Sequence, residues 1–540
     1  MAGPLTPITQ QDFSRGENTV TNPYLVRPDQ LQQAVNVILD EHGSLRTRDG
    51  TLSQGATSPH PNWPMVKIFD YIKVDGSVIQ LVLLYGTVGN NALYRRDTTP
   101  WTFQATLGAV FRTPDMLTFN GLTIIANGNS DTLYKYDGTT VTALSAGPFI
   151  VAAPRGAHIA NHLGFLWAWN TNSVSSVSSG PSSLAASDLN NQDSWPLINQ
   201  TLIAKDDGQS GQGLALFTIA ETGISPTATI IAFKDFSAYE CTGVLGTTTF
   251  AVQKVKSDMG CVAPRSIQFI SGFGIIRITH RGFALYDGVN DTLISEEERP
   301  RIFGRDSYVG LDWPNINRSM SAQVANPPLY LCACPVSGSN GTLQRIFIYD
   351  LVRRAWTIAT YPTDLSTMQL SLVPNQLPVV YTGDASAGKV RRIFAGDMTD
   401  DGSDVNWAIL TRAFSQRSAV TRSYWQRMLA DFFSLSTGSQ VTANFYLSPT
   451  AAVGQVTQTL SPVAITQLNS YSGWGVDPWG TTPWGSQNAA IITDTVLAYG
   501  MGFIANSVQV GMNGSGPMKL RQLELHARVK PSTRATAGVQ

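Results

Sequence analysis

His158 and His162 stand four residues apart, a spacing that on a helix would turn two imidazoles toward one metal ion. No glutamate follows in the metalloprotease pattern, and Pro154-Arg155-Gly156 just upstream reads as a turn, so the pair is assigned a structural role. Gly208-Gln209-Ser210-Gly211-Gln212-Gly213 is rich in glycine but lacks the Lys-Ser/Thr that grips phosphate, and reads as a flexible loop. Cys332 and Cys334 lie two apart in the apolar run 329–335 and would share one face of a strand. With no second pair and no histidines nearby they read as buried thiols rather than zinc ligands. Together with Cys241 and Cys261 they are too few for a disulfide framework. The string Asp397-Met398-Thr399-Asp400-Asp401-Gly402-Ser403-Asp404 offers oxygen donors of the kind that hold calcium, but no bidentate glutamate ends it, and a solvated acidic turn is expected. Converging carboxylates of the glycosidase kind, and the Ser-x-Asp-x-Gly-x-Thr-Trp boxes of sialidases, are not found. The expectation is a protein that is not an enzyme and holds no cofactor or metal.

Two groups suggest contact rather than catalysis. Glu296-Glu297-Glu298-Arg299-Pro300-Arg301 is the densest charge cluster and reads either as a solvated loop or as an ion-pair patch between subunits. Trp474, Trp479 and Trp484 lie in a low-charge loop and have too much aromatic surface to be merely solvated; interface anchoring and packing within the C-terminal region stay equally open.

The elements that must position these residues are strands. Glycine (47) and proline (29) are plentiful and charged residues make up only 14% of the 540, which is the composition of short strands joined by tight turns. The net charge is −1 and no block of Lys or Arg occurs, so a protein that grips nucleic acid by neutralising phosphates is excluded, whereas a near-neutral wall that lets a polymer pass is not. Met1-Ala2-Gly3-Pro4 begins no signal peptide and no apolar run reaches the length of a membrane span, pointing to synthesis in a reducing cytoplasm.

Helical signal is sparse: Asp29 to Leu39 follows Pro28 with partial helical spacing, but Val35, Val37 and Leu39 also alternate as a strand would. Elsewhere a unit recurs, an apolar stretch and then an aromatic in a short strand before a Gly or Asn turn. Its marker aromatics are Tyr94, Tyr134, Trp167, Tyr239, Tyr286, Tyr349 and Phe394, at intervals of 40, 33, 72, 47, 63 and 45. The 72 reads as two units and the 63 as one unit with an insertion. A period near 40–50 with four strands per unit is the sign of a β-propeller, since one such sheet cannot cover both of its faces. Roughly six to eight blades fit between Asn62 and Asp400. The reading is an all-β chain: an N-terminal arm with first strands (1–60), a β-propeller (61–404), a C-terminal β-sandwich or sheet module (405–530) and a flexible tail (531–540).

Three strings carry a family resemblance. The first is Asp12-Phe13-Ser14-Arg15-Gly16-Glu17-Asn18, continuing through Asn22-Pro23-Tyr24-Leu25 and Ala34-Val35-Asn36-Val37-Ile38-Leu39 to Gly43-Ser44-Leu45-Arg46-Thr47-Arg48-Asp49-Gly50. The second is Asp258-Met259-Gly260-Cys261-Val262-Ala263-Pro264-Arg265-Ser266-Ile267, with Arg281-Gly282-Phe283-Ala284-Leu285-Tyr286-Asp287-Gly288 and Ile294-Ser295. The third is Tyr381-Thr382-Gly383-Asp384, Gly388-Lys389-Val390 and Asp400-Asp401-Gly402. In this order they resemble the tail nozzle, or hub, proteins of short-tailed bacteriophages. The resemblance implies a propeller-containing virion structural protein, usually six copies in a ring beneath the portal and head-to-tail adaptor. It further implies tail fibre or spike partners and a channel through which DNA passes without specific binding. A phage receptor-binding or glycan-degrading propeller protein is the alternative.

Overall fold

The computed structural model describes residues 5–529 except 41–42, 56, 74, 87–89, 97–100, 109–110, 145–152, 173–178, 220–226, 307, 374–376, 387, 417–420, 437–439, 448–457, 460–462 and 465–490. Between Met65 and Ile393 the described strands form six four-stranded antiparallel sets in chain order, followed by three strands of a seventh. The first is Met65–Ile72, Val78–Leu84, Ala92–Arg96 and Thr102–Thr106. The next four span 115–143, 155–202, 211–254 and 268–293. The sixth is Met320–Val324, Leu329–Pro335, Leu343–Asp350 and Ala355–Ala359.

The second strands explain why the sets must stack. Val78–Leu84 is an unbroken apolar run but for Gln80, as a strand covered on both faces should be. Leu81 and Leu83 pack with Ile125 and Tyr136 of the second set, whereas Val82 and Leu84 pack with Val390 of the seventh. Around the molecule the first strand of each set touches the first strand of the next, and Leu365–Ser371 returns to Met65–Ile72. The ring is closed, and the architecture is a β-propeller.

Closure uses a strand that precedes the ring in sequence. The seventh set takes Leu365–Ser371, Val379–Asp384 and Val390–Ile393 from its own region and its outermost strand, Thr51–Gln54, from the N-terminal segment. The marker aromatics fall on or directly after third strands in six sets; Trp167 instead lies on the second strand of its set, Phe165–Asn172. The 72-residue interval after it therefore spans one step around the ring, not two units. The 63-residue interval does contain an insertion, which carries the 3-10 turns Glu296–Glu298 and Trp313–Arg318 and a short helix, Arg299–Phe303.

Beyond the ring, two sheets enclose a second core. One holds Thr6–Gln10, Val37–Leu39, Leu45–Thr47, Ser423–Ser436, Ile491–Ala505 and Met518–Val529. The other holds Gln33–Val35, Asn406–Ser415, Gln440–Leu447 and Ser507–Ser515. Met518, Leu520, Leu523, Leu525 and Ala527 of Met518–Val529 point inward beside Phe13, Trp407, Trp425 and Phe432. Each such side chain contributes on the order of 1.5–3 kcal/mol when fully buried.

The N-terminal segment belongs to both bodies. The segment Asp29 to Leu39 is not a helix: Gln33–Val35 lies in one sheet and Val37–Leu39 in the other. Asn36 between them has φ +56°, a left-handed conformation that asparagine tolerates and that ends any helical reading. Val35 also bridges in parallel to Ile358 at the outer edge of the sixth set, so a hydrogen-bonded sheet runs from the ring into the C-terminal module. At Gly50 the chain passes so close to Thr399 that an added Cβ would lie 2.0 Å from that carbonyl oxygen. Gly50→Ala is therefore expected to lose about 1–3 kcal/mol or more through backbone displacement, read as a lowered urea midpoint. Among the described residues no helix is long and apolar enough to cross a membrane.

Candidate functional site

The residues richest in polar chemistry gather where the N-terminal segment crosses from the module to the ring. Gly16 (φ +61°) brings the backbone onto Trp356 of the sixth set, whose carbonyl accepts from Glu17 N at 2.8 Å. This delivers Glu17 to a site with no solvent exposure. One of its oxygens accepts from Ala34 N at 2.6 Å and the other from Arg301 Nε. Arg301 comes from the short helix in the insertion and stacks over Tyr308 at 4.6 Å. Glu298 faces the same guanidinium, Oε2 lying 3.7 Å from Nε, and neither Glu298 oxygen has a hydrogen-bond partner among the described residues. Burial, and then the charge of Glu17, hold the Glu298 carboxyl well above the usual carboxylate range, with Arg301 acting in opposition. Arg345 completes the cluster by donating to the carbonyls of Arg301 and Val309, and burial lowers its pKa to about 10.

Of the glutamate triplet only Glu296 is exposed, so it is not a solvated loop as a whole. Glu296 is exposed and pairs with Arg299 at 3.4 Å. The Glu297 carboxylate accepts from Gln30 at 2.7 Å and its carbonyl accepts from Thr19 N and Oγ1 at 2.9 and 2.8 Å. Glu298 is fully buried against Glu17 and Arg301. The physical reason is that the insertion folds back onto the N-terminal segment, so its charges close an intramolecular joint. Trp474, Trp479 and Trp484 lie outside the described residues.

A second clasp lies further along the segment. Arg48 is almost wholly buried, and all five of its N–H groups are used: one to Asn36 Oδ1, two to the Asp400 carboxylate at 3.0 and 2.7 Å, and two to the carbonyls of Asp49 and Thr360. Its guanidinium also covers the Tyr361 ring at 3.8 Å. Asn36 donates to Thr360 Oγ1 and the Asn406 carbonyl, and its Oδ1 accepts from Arg48 and Thr360 N. One amide side chain thereby ties the segment, the ring and the module together. The acidic string 397–404 is only in part a solvated turn: residues 401–404 are exposed, but Asp397 pairs with Arg392, Asp400 is buried against Arg48, and Asp401 is held by Ser53 and Arg391.

His158 and His162 sit on the strand Arg155–His162, both buried, and no group of three or more potential metal ligands occurs among the described residues. All four cysteines are buried free thiols; the Cys332 and Cys334 sulfurs are 3.7 Å apart in one core. Burial pushes the Cys261 thiol up to about 11, which keeps it unreactive near neutral pH. Within Gly208–Gly213, Gly211 and Gly213 begin the strand Gly211–Ile219, and Asp235 holds Ser210 N and the Gln212 amide. Glu17, Asn36 and Arg48 lie within the first of the three resembling strings, but nothing local marks their roles: Arg48 and Asp400 are 352 residues apart.

No family model matches the chain, and no curated protein matches it. Among solved structures, a crystal structure titled BBS1N in complex with ARL6DN has 8% identity and a TM-score of 0.40, covering 65% of this chain and 99% of its own. The N-terminal domain of Nup159 has 10% identity and a TM-score of 0.35, covering 67% and 98%. Both are β-propeller domains. Likeness of this degree carries no functional argument, and the propeller assignment rests on the strand order and closing contacts of this chain itself.

Proposed function

We propose that this chain is a non-catalytic ring subunit of a short-tailed bacteriophage tail, its nozzle or hub. In this reading it is a seven-bladed propeller, closed by the N-terminal strand and fused to a C-terminal β-sandwich. Six copies sit beneath the portal and adaptor, carry fibres or spikes, and leave an axial passage for DNA.

The observation that carries the reading is the placement of the three resembling strings. The first forms the segment that joins ring and module through Phe13, Glu17, Asn36 and Arg48. The second includes Met259 and Gly260, whose carbonyls hold the buried Arg277 beside Asp291. The third supplies Asp384, Val390, Asp400 and Asp401, where the N-terminal strand enters the seventh set. Each string thus lies where the architecture is decided. A wall with net charge −1 and no basic cluster also suits a channel that must release a polyanion rather than hold it.

Mass photometry and negative-stain imaging of the purified chain, alone and with a portal–adaptor complex, test the proposal. Six copies of 58.3 kDa give a ring of about 350 kDa, stacked on the adaptor when it is present. A protein that stays monomeric beside the adaptor and cleaves or binds glycans would replace this reading with the receptor-binding alternative.

A further inference from the structure

At the hub of the propeller, where the first strands of the seven sets converge, lies a cavity of about 380 Å³. Its charged and ionisable lining comes from the first strands of the first three sets, which carry Lys67, Asp115 and His158, and from the 3-10 turn before the fifth set, which carries Arg265. Two cations face one carboxylate there, and that carboxylate is already occupied. Asp115 accepts from Met116 N at 3.0 Å and from Ile159 N at 3.3 Å.

The cations are left with unspent hydrogen-bonding capacity. Arg265 Nη1 donates to the Val66 carbonyl at 2.7 Å, but Nη2 is buried with no partner. The Lys67 ammonium makes no hydrogen bond among the described residues. A buried guanidinium N–H without an acceptor costs stability unless something supplies one. Burial, with Arg265 adding to it, lowers Lys67 to about 8, and burial lowers Arg265 to about 10. Burial also lowers His158 to about 4, so near neutral pH it is an uncharged donor or acceptor. The site therefore carries one net positive charge in surroundings that disfavour it, together with two charged donors.

We propose that the hub cavity binds a small oxyanion of the phosphate or sulfate class, held by Lys67 and Arg265 with His158 beside it. The volume is at the small end of ligand sites, which suits a tetrahedral anion and a few waters better than a large organic molecule. Charge-assisted bonds from a lysine and an arginine are the usual means of holding such an anion. The proposal needs neither a ring of subunits nor a role in a phage tail.

Calorimetric titration of the full chain with sulfate, at constant ionic strength made up with chloride, tests it. A saturable one-to-one heat is expected. Lys67→Met and Arg265→Gln should each weaken binding about tenfold or more, and Lys67→Arg should retain it. Sulfate stays divalent near pH 8, so any proton drawn from the buffer on binding is taken up by the protein. Binding there should draw in a fraction of a proton as the anion favours protonated Lys67, less at pH 6, and none at pH 8 in Lys67→Met. A parallel titration with glycerol phosphate separates a free inorganic anion from a phosphate ester: tighter binding that competes with sulfate assigns the site to an ester. Absence of saturable heat with both probes overturns the proposal, as does unchanged affinity in a cooperatively melting Lys67→Met/Arg265→Gln double variant.

Discussion

Replacing Arg48 by methionine is expected to cost about 3–5 kcal/mol of stability, because it leaves the Asp400 carboxylate buried without its cation. Few side chains in the molecule are so fully committed: both guanidinium forks and the Nε–H are spent, and the flat face rests on Tyr361. Lysine is no substitute, since an ammonium can neither grip the carboxylate with two parallel bonds nor stack in the same way. The loss should appear as a lowered urea midpoint and as protease cleavage within the N-terminal segment, because Arg48 fastens that segment to the ring. The double variant Arg48→Met/Asp400→Leu should recover much of the loss, an apolar pair being often as stable as a buried ion pair. Equal destabilisation in single and double variants would mean that the hydrogen bonds to Asn36, Asp49 and Thr360, rather than the charge pair, carry the clasp.

The parts of this architecture that could be read from sequence are those with local causes. Val78–Leu84 announces a strand covered on both faces by its own composition, and the marker aromatics recur because six third strands meet their neighbours in the same way. Trp167 misled the spacing because an aromatic of the same type sits one strand earlier, where the register of its set places it in the core. The closing strand Thr51–Gln54 has no local mark of its partner, Val390–Ile393, which lies at the far end of the ring in sequence. The spacing over Asp29 to Leu39 admits both a helix and a strand because φ is invisible in a residue string, and only the sheets on either side impose the positive value at Asn36. The acidic string 397–404 and the glutamate triplet looked solvated for a related reason. In one case the cation that buries Asp400 arrives from the N-terminal segment, and in the other a segment 281 residues away covers the triplet. At the hub, Lys67, Asp115, His158 and Arg265 are each unremarkable alone; ring closure makes them neighbours.

Within the joint of Glu17, Glu298 and Arg301, two glutamates that look interchangeable should respond in opposite directions. Glu17→Ala removes the acceptor of both Ala34 N and Arg301 Nε, stranding a buried guanidinium, and should cost about 3–5 kcal/mol. Glu298→Gln removes a charge that has no hydrogen-bond partner, and at pH 8 should stabilise the chain by about 1–3 kcal/mol. The groups that face Glu298 are Glu17, Glu297, Arg301 and Arg345, and their sum does not compensate its burial, so its folded pKa is raised. A carboxyl of this kind holds its proton more tightly folded than unfolded. Its contribution is therefore most favourable below the ordinary glutamate value and declines as pH rises through the folded value. The wild-type chain should lose stability between about pH 5 and pH 8 relative to Glu298→Gln, and the two should converge toward pH 5. Urea unfolding at pH 5, 6.5 and 8 measures both effects. If Glu298→Gln is destabilised equally at every pH, Glu298 is the working partner of Arg301, and the division of roles between the two glutamates is reversed.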